Sequence, residues 1–455
     1  MDIDINAYFL VIGASLVIIF SYFANLISKK TNIPSVLLLI LLGIGIKYGI
    51  DHYSLPWLDS EDEKLLLEFL GTVGLIFIVL EAALDLELTK EKWPIIWKSM
   101  LVALGALVFS SFAIAFFLDW IVFDDFFNSL VYAIPLSIMS SAIIIPSVGG
   151  LVNHQKEFMV YESTFSDILG IMFFYMLLGN VESEGAGQIL VNVGGNIGIT
   201  VLLGLAVSYG MVFILQNITS NVKLFLIIAV LLLIYAVEKL MHLSPLILIL
   251  VFGLMLNNHK IFFPRAMQRL VNAKRIKTIT HDFHVLTLES AFVIRTFFFV
   301  IFGISIVLSS LMSLDVLFYS LVIVLILYLV RLLFLWFFAK KDIFPLLYVA
   351  PRGLITILLY FQISSGYPEF VHDGFDQGIL LLVIMVTSIV MTISLIQNGF
   401  GVKAVDRDEE TSDFVFLAEE TRPVLPIDES TESTDQSASA PDDAGDDRNG
   451  DPLSS

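Results

Sequence analysis

YESTFSDILG, residues 161–170, sets two carboxylates, Glu162 and Asp167, in an otherwise apolar stretch, with FMV just before it and IMFFYMLL just after. An ionised side chain at the centre of a bilayer costs a few kcal/mol or more. Whether this run crosses a membrane therefore decides the fold, and the rest of the chain answers.

Of 455 residues, 57% are hydrophobic and 15% charged, and the mean hydropathy is +0.88, far from the balance of a soluble domain. Apolar runs of about 17–25 residues, enough to cross roughly 30 Å of hydrocarbon at about 1.5 Å per residue, recur along most of the chain. They fall near 6–28, 33–50, 65–86, 99–118, 128–150, 157–178, 191–215, 223–238, 243–256, 283–309, 313–338, 344–363 and 376–398. The expected fold is an all-α polytopic membrane protein of about thirteen transmembrane helices. EKLMHLSP, 238–245, divides the eighth span from the ninth, which Pro245 opens. With no cysteine there is no disulfide framework and no thiolate metal site. The opening MDIDINAYFLVIGASLVIIF has an acidic start and no basic n-region, so it is expected to be a retained first span and not a signal peptide.

Residues 401–455 hold 16 acidic and 4 basic residues, net −12 of the chain's −19. Rich in Asp, Glu, Ser and Thr, this segment cannot bury enough apolar surface to offset its ordering entropy. The expected organisation is a transmembrane domain over 1–400 and an acidic, disordered cytoplasmic tail over 401–455, with no affinity for nucleic acid. Fifteen Lys and Arg residues, from Lys29 to Lys341, lie at connections after odd-numbered spans; only Lys47, Lys64 and Lys239 follow even ones. That bias sets the amino terminus outside and the carboxyl terminus in the cytoplasm, and the cell membrane is the expected location. The Asn217-Ile-Thr sequon then falls on a cytoplasmic loop, a chance match.

Three basic residues remain inside spans: Arg295, Arg331 and Arg352. The acidic ones are Glu81, Glu162 and Asp167, with Asp85, Glu238 and Glu289 nearer the ends. A functional role is the default for such groups, and a paired structural ion bridge is its rival. Asp167 lies eleven residues into the sixth span, close to mid-membrane. Ser163 and Ser166 share its helical face, so two hydroxyls and a carboxylate can converge on an oxygen-rich pocket suited to protons and hard monovalent cations. The bland alternative is serines packed against a neighbouring helix, with Asp167 bonded to one of them. Glu162 and Arg331 both lie roughly 10 Å deep and can pair. Arg352 reaches a similar depth and competes for the same partner.

Two spans carry breaks. MSSAIIIPSVGGL at 139–151 and APRGLIT at 350–356 combine Ser, Pro and Gly in ways that free backbone groups within a membrane. Breaks in corresponding helices of two halves point to inverted repeats, here spans four to six and eleven to thirteen, meeting at a substrate site. A simple proline kink is the alternative for either break taken alone. The seven histidines, at loops or span ends, form no metal constellation; a pH-sensing role for His281 and His284 stays open beside solvated surface positions. No phosphate loop or nucleotide site is present in the sequence, and an enzyme is not expected.

In this frame ESTFSD, 162–167, resembles the Glu-Ser-x-x-Asn-Asp motif of the monovalent cation/proton antiporter superfamily, the group of sodium/proton exchangers. IPSVLLLILLGIGIKYG, FIVLEAALDLEL, SPLILILVFGLMLNN, FFFVIFGISI, VRLLFLWF and PRG are similar to further segments of that family in the same order, over nearly all of residues 5–400. The resemblance implies a homodimer in which a six-helix core domain, with two discontinuous crossing helices, slides against a dimerisation domain. It implies that Asp167 binds cation and proton in alternation, that Ser163 and Glu81 help hold the ion, that Glu162 and Arg331 form a supporting pair, and that Arg352 is the arginine of the second break. Arg295 carries over only as a structural charge. Membrane lipid and the transported Na+ or K+ and H+ are the implied partners, no cofactor is implied, and pH homeostasis is the implied setting.

Two departures matter. Met139-Ser140-Ser141 stands where many relatives have Thr-Asp-Pro and is closer to the pattern of potassium-efflux relatives, which leaves the cation open. Ser166 replaces an Asn or Asp, so one carboxylate remains where electrogenic relatives carry two, which suggests one cation exchanged for one proton. A cation channel or potassium-efflux pathway gated by the tail, and a non-transporting sensor on the same scaffold, are the alternatives.

Overall fold

A computed structural model describes residues 7–31, 33–53, 60–179, 186–215, 223–240, 245–262, 273–305, 313–339, 343–372 and 374–397. The acidic segment 401–455 and the Asn217 sequon lie outside them. Regular structure among the described residues is entirely helical.

The chain begins with α1 (Ala7–Thr31), α2 (Ser35–Tyr53), α3 (Ser60–Asp85) and α4 (Trp93–Leu118), the last prolonged by a π-helical turn over Asp119–Phe123. Next come α5 (Phe126–Ser137), the short α6 (Ser141–Ser147) and α7 (Asn153–Leu178). The middle holds α8 (Ala186–Leu215), α9 (Lys223–Leu240), α10 (Pro245–Asn257), one turn of α11 (His259–Phe262) and α12 (Ala273–Ser305). The chain closes with α13 (Leu314–Phe338), one turn of α14 (Ile343–Leu346), α15 (Leu354–Gly366) and α16 (Gln377–Gln397).

Each expected apolar run coincides with a helix or a broken pair of helices. Among the described residues, eight segments are long and apolar enough to cross a membrane, and shorter apolar helices cover 198–214, 224–237, 246–257 and 354–364. α7 falls outside both groups, and it is the helix that carries Lys156, Glu157, Glu162 and Asp167. Boundaries move most at α12, which starts at Ala273 and so takes Lys274, Arg275 and Lys277 into its first turns, where the sequence reading placed a loop.

Local chemistry accounts for the starts and stops. Pro94 sits in the first turn of α4, where its missing N–H costs nothing. Asp124 takes a left-handed conformation (φ 50°) that ends the π turn, and the Asp125 side chain then caps α5 by accepting from the Phe127 amide at 3.1 Å. α5 stops at Ile138, whose backbone is extended.

The helices pack in two groups. α4 lies along α5, α7 and α13, with α16 on α13 and α15 on α5; α12 lies along α2 and α3, with α10 on α3 and α8. The groups touch chiefly where α15 meets α3. α2 and α12 approach closely at Gly43 and Gly303, where a Cβ on Gly43 would fall 2.2 Å from the Val300 carbonyl oxygen. Outward faces are apolar: α13 exposes Leu317, Leu321, Leu325 and Leu329 while burying Ile323, Leu327, Arg331 and Leu335. A helix that is apolar on its outer face and polar at a buried position has lipid, not water, as its solvent.

Candidate functional site

The first break, residues 138–140, separates α5 from α6 and leaves backbone amides without helical partners. Side chains of α7 supply those partners. Ser166 Oγ accepts from the Met139 amide at 3.0 Å, and Asp167 Oδ2 accepts from the Ser141 amide at 3.2 Å and from the Ser141 hydroxyl. Gly170, one turn on, lets Ile138 pack directly against the α7 backbone, since a Cβ there would lie 2.3 Å from Ile138 Cγ1. The carboxylate of Asp167 therefore sits at the amino end of α6, 2% exposed, where backbone dipoles favour negative charge. Its second oxygen, Oδ1, is buried with no hydrogen-bond partner among the described residues.

The second break runs from the end of α14 to Gly353 and crosses the first. The Ser140 amide donates to the Pro351 carbonyl at 3.0 Å, and Gly353 lies so close that a Cβ on it would be 2.6 Å from Ser140 Oγ. Arg352 binds the free carbonyls of both breaks: Nε to Leu136 O at 3.1 Å, Nη1 to Ala350 O at 2.5 Å and Nη2 to Ser137 O at 3.5 Å. Its own amide donates to Thr387 Oγ1 at 3.1 Å. A guanidinium at the carboxyl end of α5 thus answers the carbonyls that the break exposes.

The competition for Glu162 goes to Arg331, which holds it with two bonds, Nη1 to Oε1 at 2.5 Å and Nη2 to Oε2 at 3.0 Å. Arg331 also donates to Leu346 O, just ahead of the second break. Both members are essentially buried, at 2% and 0% exposure. Glu81 lies on α3 beside Arg295 of α12, 3.2 Å from Oε2 to Nη1, and near enough to Asp167 for the two carboxylate charges to interact. Ser163 is buried, with its hydroxyl donating to Val160 O of its own helix at 3.2 Å. The structure thus gathers Met139, Ser140, Ser141, Ser166 and Asp167 at one point. Glu81 is paired with Arg295 outside that point, and Ser163 is turned to its own backbone.

Three supports gave no sequence signal strong enough to single them out. Thr387 of α16 holds the Arg352 amide, and Met159 Sδ lies 3.6 Å from Arg331 Nη2. Asn258 clamps the extended segment after α3, donating to Leu86 O at 2.8 Å and accepting from Leu88 N at 2.7 Å. His284 sits within α12, not on a loop, and its Nε2 meets Asp85 Oδ1 at 2.7 Å.

Facing helix breaks around a buried carboxylate, in an all-helical bundle with apolar outer faces, are the architecture of a broken-helix membrane transporter. The chain belongs to the transmembrane sodium/hydrogen exchanger family, whose model matches residues 14–397. Its fold is similar to that of the sodium/proton antiporter MjNhaP1 from Methanocaldococcus jannaschii, solved at pH 8, with a TM-score of 0.62 and 19% identity over 88% of this chain and 99% of that one. A second structure of MjNhaP1, from an electron-microscopy map, gives a TM-score of 0.60 and 19% identity over 93% of this chain and 100% of that one. At this identity the likeness establishes the fold alone. No curated protein is matched by sequence.

Proposed function

We propose that this chain is a secondary active antiporter exchanging a monovalent cation, Na+ or K+, for H+ by alternating access around Asp167. The observation that carries the reading is the buried, unpartnered Oδ1 of Asp167 beside a helix break, with no arginine against it among the described residues. Arg331 is committed to Glu162, Arg352 to carbonyls and Arg295 to Glu81. A carboxylate left in that position is stable when a proton neutralises it or when a cation shares it.

Exchange follows from that exclusion. Deprotonated Asp167 takes a dehydrated cation with Ser141, Ser140 and the Met139 carbonyl at the break, and with Ser163 and Glu81 as further oxygen donors, while Ser166 holds the Met139 amide. Protonated Asp167 holds none. Only the occupied forms reorient. With Asp167 the one carboxylate at the site that no arginine answers among the described residues, one cation replaces one proton, and the membrane potential, worth about 2.3 kcal/mol per charge per 100 mV, neither drives nor opposes the cycle. The moving unit is the group around the two breaks, with α4–α7 and α13–α16 as inverted repeats. The second group supplies the dimer contact of a homodimer in the cell membrane, in a frame of thirteen spans with the amino terminus outside.

Asp167→Asn in proteoliposomes tests this: folded protein at wild-type level with no cation-dependent proton flux is the expected result, and retained flux would refute it. A panel of Na+, Li+ and K+ on the parent protein assigns the cation. A cation-conducting pathway of the potassium-efflux kind is favoured only by the Ser140-Ser141 pair, and flux that fails to saturate with cation concentration would select it.

A further inference from the structure

A cavity of about 260 Å3 opens where the starts of α4 and α7 meet the end of α13 and the turn of α14. Ile95, Phe158, Phe338 and Leu346 wall it, and Lys98 and His154, both exposed, stand at it. On the same turns of α4, Trp93 and Trp97 are 59% and 47% exposed with their rings stacked 6.4 Å apart. Exposed tryptophans on a membrane helix mark the depth of the lipid headgroups, so this cavity lies at that level.

We propose that the cavity is a binding site for the headgroup of an anionic phospholipid. The charge is complementary: Lys98 faces a phosphate, His154 adds a polar ring at the rim, and the amino ends of α4 and α7, neither capped by a side chain, add positive potential from the same side. The nearby carboxylates are already engaged, since Lys92 lies 3.4 Å from both Glu87 and Glu157. The apolar walls decide between sources of phosphate. A free inorganic ion gains nothing from Phe158 and Phe338, whereas the glycerol and first methylenes of a lipid bury against them. The volume is below the roughly 300–1,000 Å3 of sites that enclose a whole drug-sized ligand, so the headgroup enters and the chains stay in the bilayer. An occupant ties α7, which carries Asp167, to α13 and α14, which lead into the second break.

The test is thermal unfolding of the purified full-length chain in a neutral detergent, titrated with dioctanoyl-phosphatidylglycerol, dioctanoyl-phosphatidylcholine or sodium phosphate. The unfolding midpoint is expected to rise saturably with the phosphatidylglycerol alone. Lys98→Gln should weaken that response about ten-fold, as loss of one charge-assisted contact does. His154→Gln should weaken it several-fold, and Lys277→Gln, at an exposed position of α12, should leave it unchanged. An equal response to phosphatidylcholine would remove the headgroup charge from the site, and an equal response to phosphate would make it a plain anion site. No response to phosphatidylglycerol, or unaltered responses in both the Lys98 and His154 variants, would also overturn the proposal.

Discussion

At the start of α6 the backbone turns amides toward a carboxylate; at the end of α5, and at Ala350 of the second break, carbonyls turn toward a guanidinium. Both charges are tolerated inside the bundle because each meets the unpaired end of a helix of opposite polarity. The difference lies in what is left over. Arg352 donates to three carbonyls, so its charge is bound into the fold. Asp167 uses one oxygen for Ser141 and keeps the other unpartnered among the described residues, so its charge can be answered by something that comes and goes. One charge is bound permanently and the other is left to be answered.

The harshest way to break that contrast is to strip a permanent charge of its partner. Arg331→Met would leave Glu162 buried and unpaired and release Leu346 O, at a cost of about 3–5 kcal/mol, read as a large fall in the unfolding midpoint. The double variant Glu162→Gln/Arg331→Met should recover most of it. Asp167→Asn should show no comparable fall.

Arg352→Lys comes next. A lysine keeps the charge but cannot reach Leu136 O, Ala350 O and Ser137 O together, so at least one charged hydrogen bond worth about 1.5–3 kcal/mol is lost. The expected result is reduced stability that does not depend on the cation present. Gly353→Ala should cost about 1–3 kcal/mol by overpacking, because the new Cβ meets Ser140 Oγ at 2.6 Å and Ile143 Cδ1 at 2.9 Å. That variant pushes the crossing of the two breaks apart, so its exchange rate should fall further than its stability does.

How much of this was legible in the sequence differs between the same regions. Apolar runs placed the helices because span length is fixed by bilayer thickness, and they misjudged the start of α12 because Lys and Arg mark loops by hydropathy yet form helices well. Asp167 stood out because its surroundings within α7 are local. The fate of Arg352 could not be read, since depth alone gave it the same candidate partner as Arg331; the carbonyls it binds at Leu136 and Ser137 are 216 and 215 residues away. Asn258 was invisible for a similar reason: its amide imitates a peptide group toward Leu86 and Leu88, a role that no spacing announces.

The mildest change sharpens the boundary between holding the break and holding the ion. Ser166 shares a face with Asp167, yet its hydroxyl is engaged by the Met139 amide at 3.0 Å. Ser166→Ala leaves that amide without its partner in a buried place, so stability should drop by about 1 kcal/mol or somewhat more. If the hydroxyl serves the backbone first, the cation concentration at half-maximal exchange should stay within about two-fold of the parent, a difference of roughly 0.4 kcal/mol. A rise well beyond that with unchanged stability would move Ser166 from the frame of the first break into the ion's own shell, and the exchangeable part of the site would then extend one residue further along α7 than the hydrogen bonds indicate.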